Sequence, residues 1–254
     1  DLYDQVLGAM GSNNVQLFAE LVRQLADKLM VLEDKIERAK ELQCAQVLFS
    51  NGVITLKDGT TIDYKRKSGS NVDPGSGQYF ANSIDPFPLF GAGAEFIRTK
   101  GRSGDSVFNA VLGSLAITDL LNNAKFLERQ NLVNMALDAV QGPVRSATGA
   151  AFHGTITAGA YKIQLWSYPQ FYKHPTSGVD TPYVDPKLVT IIPTNPRFKM
   201  AHAAVPQLIT EGKTPQTGPY VIGNFRDERA VADIYDIQSA PLAVPVAVDT
   251  IYTF

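Results

Sequence analysis

Cysteine is nearly absent. Cys44 is the only one in 254 residues, which excludes an intramolecular disulfide and a cysteine-rich metal site. A lone thiol fits a reducing compartment. Histidine is scarce as well, and His153, His174 and His202 have no ligand-like spacing to one another. No stretch approaches the ~18 unbroken apolar residues of a membrane span. The opening DLYDQVLGAM lacks the charged start and apolar run of a secretory signal. It also lacks an initiator Met, so an N-terminal piece is expected to be missing. There is no basic excess either: 23 Lys and Arg face 25 Asp and Glu, a net charge of -2. A dedicated nucleic-acid binder usually carries a positive surplus. What is present is a 27.6 kDa chain with 44% hydrophobic and 19% charged residues, too apolar to remain disordered. A chain of this size buries about 70% of its unfolded surface, so a core forms without staples.

Proline divides the sequence, since none of the 15 lies before Pro74. From Ser12 to Asn51 there is neither Gly nor Pro. Within that stretch Phe18, Leu21, Val22, Leu25, Leu29, Leu32 and Ile36 recur at steps of three and four, a helical stripe expected to pack inward. Charged residues take most of the other faces. Ser12, Asn13 or Asn14 suits the N-cap, and Gly52 stops the run. A helix of ~35 residues spans roughly 50 Å. The expected radius of gyration is only about 18 Å, so either the helix breaks or the molecule is elongated. Cys44, on this helix among apolar neighbours, is expected to be a buried, inert thiol.

A hairpin follows, Val53 to Leu56 against Thr61 to Tyr64, with Asp58-Gly59 in the turn. Lys65 to Gln78 reads as a loop. A short helix is expected within Ile84 to Thr99, a strand at Val107 to Leu112, then a helix N-capped by Ser114 and running through Leu121. Ala124 to Val140 forms a second helical stretch ending at Gly142-Pro143. From Thr155 the pattern is β: Tyr161 to Trp166, Lys187 to Ile192, Tyr220 to Gly223, Asp233 to Ile237 and Val244 to Tyr252. Pro241 and Pro245 confine the last region to an edge or to loops. The fold class is α+β with one long helix.

The search for catalytic chemistry is mostly negative. Gly212-Lys213-Thr214 ends like a phosphate-binding loop, but Gln207 stands where the earlier Gly belongs. Gly91-Ala92-Gly93 lacks the third glycine of a dinucleotide fingerprint, with Phe96 in its place, and reads as a closely packed helix. No nucleophile-elbow pattern surrounds Ser114. The aromatic run Tyr161, Trp166, Tyr168, Phe171, Tyr172 suits packing on both sides of a sheet better than stacking on a base or a sugar. Arg226-Asp227-Glu228-Arg229 reads as a solvated turn or as ion pairs to a neighbouring subunit.

Four segments in order resemble the major capsid proteins of lambda-like tailed bacteriophages and prophages. They are IERAKELQCAQVLFSNGVITLKDGTTIDYKRK (Ile36 to Lys67), VFNAVLGSLAITDLLNN (Val107 to Asn123), AFHGTITAGAYKIQLWSYPQFY with YVDPKLVTIIPTNP (Ala151 to Tyr172, Tyr183 to Pro196), and DIYDIQSAPLAVPVAVDTIYTF (Asp233 to Phe254). Asp63-Tyr64-Lys65 stands where the family has an acidic-aromatic-basic triplet. The resemblance implies the tailed-phage major capsid fold. Residues 12–85 and about 150–200 would form the peripheral domain, with the spine helix and long hairpin. About 86–149 and 201–254 would form the axial domain. The family's N-terminal arm and extended loop are largely absent.

By resemblance the protein is a structural head protein and not an enzyme. It would self-assemble as hexamers and pentamers into an icosahedral shell around DNA, without sequence-specific binding, cofactor or membrane. Scaffolding and decoration proteins are the further partners implied. The implied location is the virion capsid, assembled in the bacterial host cytoplasm. Arg23, Asp27, Arg38 and Glu41 on the helix, and Arg226, Asp227, Glu228 and Arg229 in the tail, are the candidate subunit contacts. Two other readings are a bacterial nanocompartment shell of the same fold, and a soluble enzyme built from distant residues such as His153, Asp185 and His202.

Overall fold

The computed structural model describes residues 15–56, 58–73, 80, 84–133, 144–145, 149–174, 177–209, 212–227 and 232–254. Helix α1 (Val15–Phe49) is followed by β1 (Val53–Thr55), β2 (Thr61–Asp63), α2 (Pro86–Thr99), β3 (Val107–Leu112), α3 (Ser114–Asn122) and α4 (Ala124–Val133). Next come β4 (Val144–Arg145), β5 (Ala151–Ala158), β6 (Tyr161–Ser167), β7 (Phe171–Lys173), β8 (Asp180–Pro182) and β9 (Val189–Pro193). The chain ends with β10 (Phe198–His202), β11 (Val205–Ile209), β12 (Gly212–Gln216), β13 (Val221–Asp227), β14 (Ala232–Gln238), β15 (Pro241–Pro245), a 3-10 turn at Val248–Thr250, and β16 (Tyr252–Thr253). The chain divides into two compact units, Asp1–Glu41 with Met200–Ala243, and Leu42–Lys199 with Val244–Phe254.

The larger unit is built on a six-stranded sheet in the order β16-β9-β3-β6-β5-β4. β3 runs parallel to β6 and antiparallel to β9. A parallel pair needs a crossover, and α3 and α4 lie within it. Alternation decides the buried face. Phe108, Ala110 and Leu112 of β3 and Ile163 and Leu165 of β6 point into the core.

Helix α2 covers that face. Asp85 caps it by accepting from the Phe87 N–H at 3.0 Å, and Pro86 occupies the first turn, where no amide is needed. Its buried side presents Phe87, Phe90, Ala94 and Ile97. Phe90 stacks on Phe80 at 6.0 Å and meets Phe254 edge-on at 5.6 Å. Gly93 faces the sheet so closely that an added Cβ would lie 2.6 Å from Ile191 Cδ1 and 2.7 Å from Tyr252 Cδ1. Gly91, on another side of the same helix, meets nothing within 4 Å. The sequence expectation of a closely packed helix holds at Gly93 only.

The break between α3 and α4 is made by a buried amide. Asn123 Nδ2 donates to the carbonyls of Phe80 (3.2 Å) and Ile84 (2.9 Å), and its Oδ1 accepts the Phe126 N–H at 3.0 Å. Ser114 is not the N-cap of α3. Gly113 takes that place, and the carbonyl of Pro186 accepts from both Leu115 and Ala116. A backbone carbonyl thus does what a cap side chain would have done.

The chain end is bound into the sheet. Phe254 and Val189 exchange two 2.9 Å backbone bonds, and Ser70 O and Val72 N engage Thr253 at 2.8 and 2.9 Å. Arg66 lies across this junction. Its Nη2 donates to Ile251 O at 2.8 Å and to Ser70 O and Thr253 Oγ1 at 3.1 Å. Burial pushes the guanidinium down to about 10, opposed by the Asp249 carboxylate, so it stays charged at neutral pH.

The smaller unit holds the first part of α1 and two antiparallel ribbons, β11–β12 and β13–β14. Val221 and Gly223 are buried while Ile222 between them is exposed, as alternation requires. β15 pairs only with β10, so its prolines sit on an edge as expected.

α1 itself is unbroken over 35 residues, about 52 Å at the usual rise. Its stripe, however, is not packed fully inward. Among the described positions 19–44 no residue is buried, and Leu25, Leu29, Leu32 and Ile36 are mostly but not fully covered. Cys44 is exposed, contrary to expectation, because burial begins only with Ala45 and Val47. The N-cap candidates Ser12, Asn13 and Asn14, residues 74–78 of the expected loop, and the helical stretch beyond Val133 lie outside the described residues.

The two helical glycines give a paired test. Gly91→Ala should stabilise the protein by about 0.5–1 kcal/mol, the usual gain in a helix interior. Gly93→Ala should destabilise it by about 1–2 kcal/mol, because overpacking outweighs propensity. Thermal melting of both variants checks this, and equal shifts would contradict the packing described.

Candidate interaction surfaces

Two of the three residues named for an enzyme reading, His153 and Asp185, are used locally, and the buried Nδ1 of His202 has no hydrogen-bond partner among the described residues. His153 Nε2 is 2.7 Å from Ser167 Oγ at a bulge in the β5–β6 pairing, and burial pushes its imidazole pKa down. Asp185 Oδ1 accepts the Lys187 N–H at 2.9 Å, closing a turn. Gly212-Lys213-Thr214 lies in the antiparallel β11–β12 hairpin, not at a strand-to-helix turn. Among the described residues no group of three or more His, Cys, Asp and Glu is placed to hold a metal. No described helix is long and apolar enough to cross a membrane.

What the chain offers instead is surface. On α1, Val22 is 51%, Val31 54% and Met30 62% exposed, beside the partly exposed Leu25, Leu29, Leu32 and Ile36. Full burial of a Leu or Ile side chain is worth about 1.5–3 kcal/mol, and these four are already mostly covered, so covering the remainder is worth at most about 1 kcal/mol each. Exposed ion pairs contribute about 0–1 kcal/mol each. Were a partner to cover this helix, its apolar residues would contribute more than its exposed charges.

Of the predicted contact residues, Arg23, Asp27 and Arg38 are exposed on α1 and Glu41 is half-buried. Arg226 and Asp227 fall on β13, where the backbone pairs them with Asp233 and Ala232. Glu228 and Arg229 lie outside the described residues.

One polar cluster was not legible beforehand. Glu37 accepts from Lys40 Nζ at 2.8 Å and from the Tyr220 hydroxyl, and Lys40 sits 4.3 Å from the Tyr220 ring centroid. These bonds, Lys40 first and Tyr220 next, hold the Glu37 carboxyl below its ordinary value. The same Glu37 bond raises the Tyr220 hydroxyl. The cluster joins α1 to the segment before β13, residues 183 positions apart, a distance no motif spans.

The sign of its pH dependence follows. A lowered carboxylate contributes stability above its unfolded value, near 4.5, and loses it as pH falls through the lower folded value. Thermal melting between pH 3 and 7 should show Tyr220→Phe less stable than wild type at pH 7, with the gap narrowing towards pH 3. A constant gap would mean that the hydroxyl acts independently of the carboxylate.

Comparison with known proteins accords with a chain that presents surface. The fold is similar to that of a prophage capsid protein from Escherichia coli CFT073. The TM-score is 0.66 at 15% identity, covering 94% of this chain and 68% of that one. A phage-related protein from Bordetella bronchiseptica RB50 matches with a TM-score of 0.46 at 13% identity, covering 94% of this chain and 67% of that one. Among curated proteins no sequence matches. The family model described as phage major capsid protein E matches residues 4–254, so this α+β chain belongs to that family of structural capsid proteins.

Proposed function

We propose that this protein is the self-assembling shell subunit of a tailed-phage or prophage head. It would form pentamers and hexamers that close around DNA inside the host cytoplasm. The observation that carries this reading is α1: a 35-residue helix whose apolar stripe stays partly exposed in the single chain. A soluble monomer seldom leaves so much contiguous apolar surface to water, and neighbouring subunits would cover it. A shell multiplies such modest contacts, and multivalency makes their sum strong. Arg23, Asp27, Arg38 and Glu41, flanking the stripe, would then fix register between copies, as would Arg226, Asp227, Glu228 and Arg229. The division by role follows the resemblance, with residues 12–85 and about 150–200 peripheral and about 86–149 and 201–254 axial. The role is architectural and not catalytic. Scaffolding and decoration proteins are the additional partners, and the near-neutral net charge suits a wall that does not clamp the DNA it encloses.

Electron microscopy of the full-length protein expressed in bacteria tests the reading. Regular closed particles are expected; a persistent monomer at high concentration would overturn it. Nucleic acid as cargo would separate a phage head from an enzyme-filled nanocompartment. The stripe makes a sharper prediction. Val22→Asp, at a stripe position 51% exposed, should cost the subunit only about 1 kcal/mol yet abolish particles. Particles of normal yield from this variant would remove α1 from the assembly contacts.

A further inference from the structure

The β7–β8 hairpin is a two-stranded sheet that, among the described residues, pairs with no other strand. Its register sets Phe171 opposite Pro182 and Lys173 opposite Asp180. Opposed residues share a face, and so do residues two apart, so these four lie on one side. The other side is packed: Tyr172 lies 5.0 Å from the Tyr183 ring and 6.5 Å from that of His174. The first side is bare. Phe171 is 61% exposed, and Lys173 and Asp180 are exposed as well. An isolated two-stranded ribbon is marginal in water, and a bare phenylalanine on it calls for a partner.

The same unit carries a matching depression. A groove of about 410 Å³ runs between α2 and the β5–β6 turn, with small residues Gly91, Ala92, Ala158 and Gly159 in its lining. Neither glycine would meet anything within 4 Å on gaining a Cβ, so the space above them is open. Glu95 and Arg129 line it too; Glu95 is exposed, and Arg129 is paired with Asp85 at 3.0 Å and lies over the Phe87 ring. The hairpin face presents an aromatic ring next to one positive and one negative group. The groove presents an apolar lining next to the exposed Glu95.

We infer that the hairpin of one copy seats Phe171 in this groove of a second copy, with Lys173 against Glu95. The inference rests on the shell reading above and specifies one of its contacts. Knob and groove are different patches, so a copy that has seated its hairpin in a second copy still offers its own groove to a third, and the contact is able to propagate until the rotation closes it. The opposed charges of Lys173 and Glu95 fix the orientation of the ring and resist the reversed docking. Gly91 and Gly159 leave open space in the groove, and the rings of Phe87 and Tyr161 in its lining offer an incoming aromatic ring apolar contact.

The test uses the full-length wild-type protein, grown in two batches, one of them labelled with nitrogen-15, and mixed before assembly. A water-soluble carbodiimide condenses ion-paired amines and carboxylates without a spacer. Mass spectrometry should then find the Lys173 and Glu95 peptides joined, with one labelled and one unlabelled partner. Glu95→Lys and Lys173→Glu should each lower particle yield at least tenfold, and the double variant should restore it to within about threefold of wild type. Particles without the joined peptide, and a double variant no better than the singles, would overturn this contact while leaving the shell reading intact. Joined peptides in small oligomers, with no closed particles, would support the contact and count against the shell.

Discussion

The close approach of α2 to the six-stranded sheet, made at Gly93, is the constraint around which the larger unit is arranged. With no Cβ there, Ile191 and Tyr252 come within van der Waals reach of the helix backbone. That approach brings Phe87 and Phe90 into the core, where Phe80, Phe126 and Phe254 complete an aromatic cluster. Tyr252 and Phe254 belong to the last residues of the chain. The helix therefore reaches the sheet only if the chain end is in place, and Arg66 holds that end through three bonds to acceptors around it. A buried guanidinium carries a desolvation cost, and here two carbonyls and a hydroxyl, with the nearby Asp249 carboxylate, offset it.

Most elements were legible because they obey one period. β3 was read with its observed limits, and α1 to within three residues, since Ser12–Asn51 carries no glycine or proline. The ribbons β7–β8, β10–β15 and β11–β12 escaped notice for a physical reason. Each is a two-stranded pair, so neither face is continuously buried and apolar alternation is weak. Prolines at 182, 206, 215, 241 and 245 blurred them further. Cys44 and Ser114 were misread because helix periodicity reports spacing and not what covers a face. The Pro186 carbonyl that replaces a Ser114 cap lies more than seventy residues away in sequence.

The surface was harder to read than the fold. A catalytic site announces itself through residue types at fixed spacing, whereas an interface is a shape. The charged positions chosen on α1 do lie at or near the surface, yet the larger energy sits in the apolar residues between them. The Glu37–Lys40–Tyr220 cluster, and the hairpin with its groove, emerge only once distant segments are folded together. Membership of the phage major capsid protein E family gives these surfaces a context in which repeated contact is the work of the molecule.

The central claim is that the partly exposed stripe of α1 is completed by other copies. Met30, 62% exposed in the single chain, reports on this directly. Its rate of oxidation by dilute hydrogen peroxide can be read by mass spectrometry in the unassembled full-length subunit and in purified particles. At least tenfold slower oxidation in the particle is the predicted result, whereas equal rates in the two states would contradict the claim.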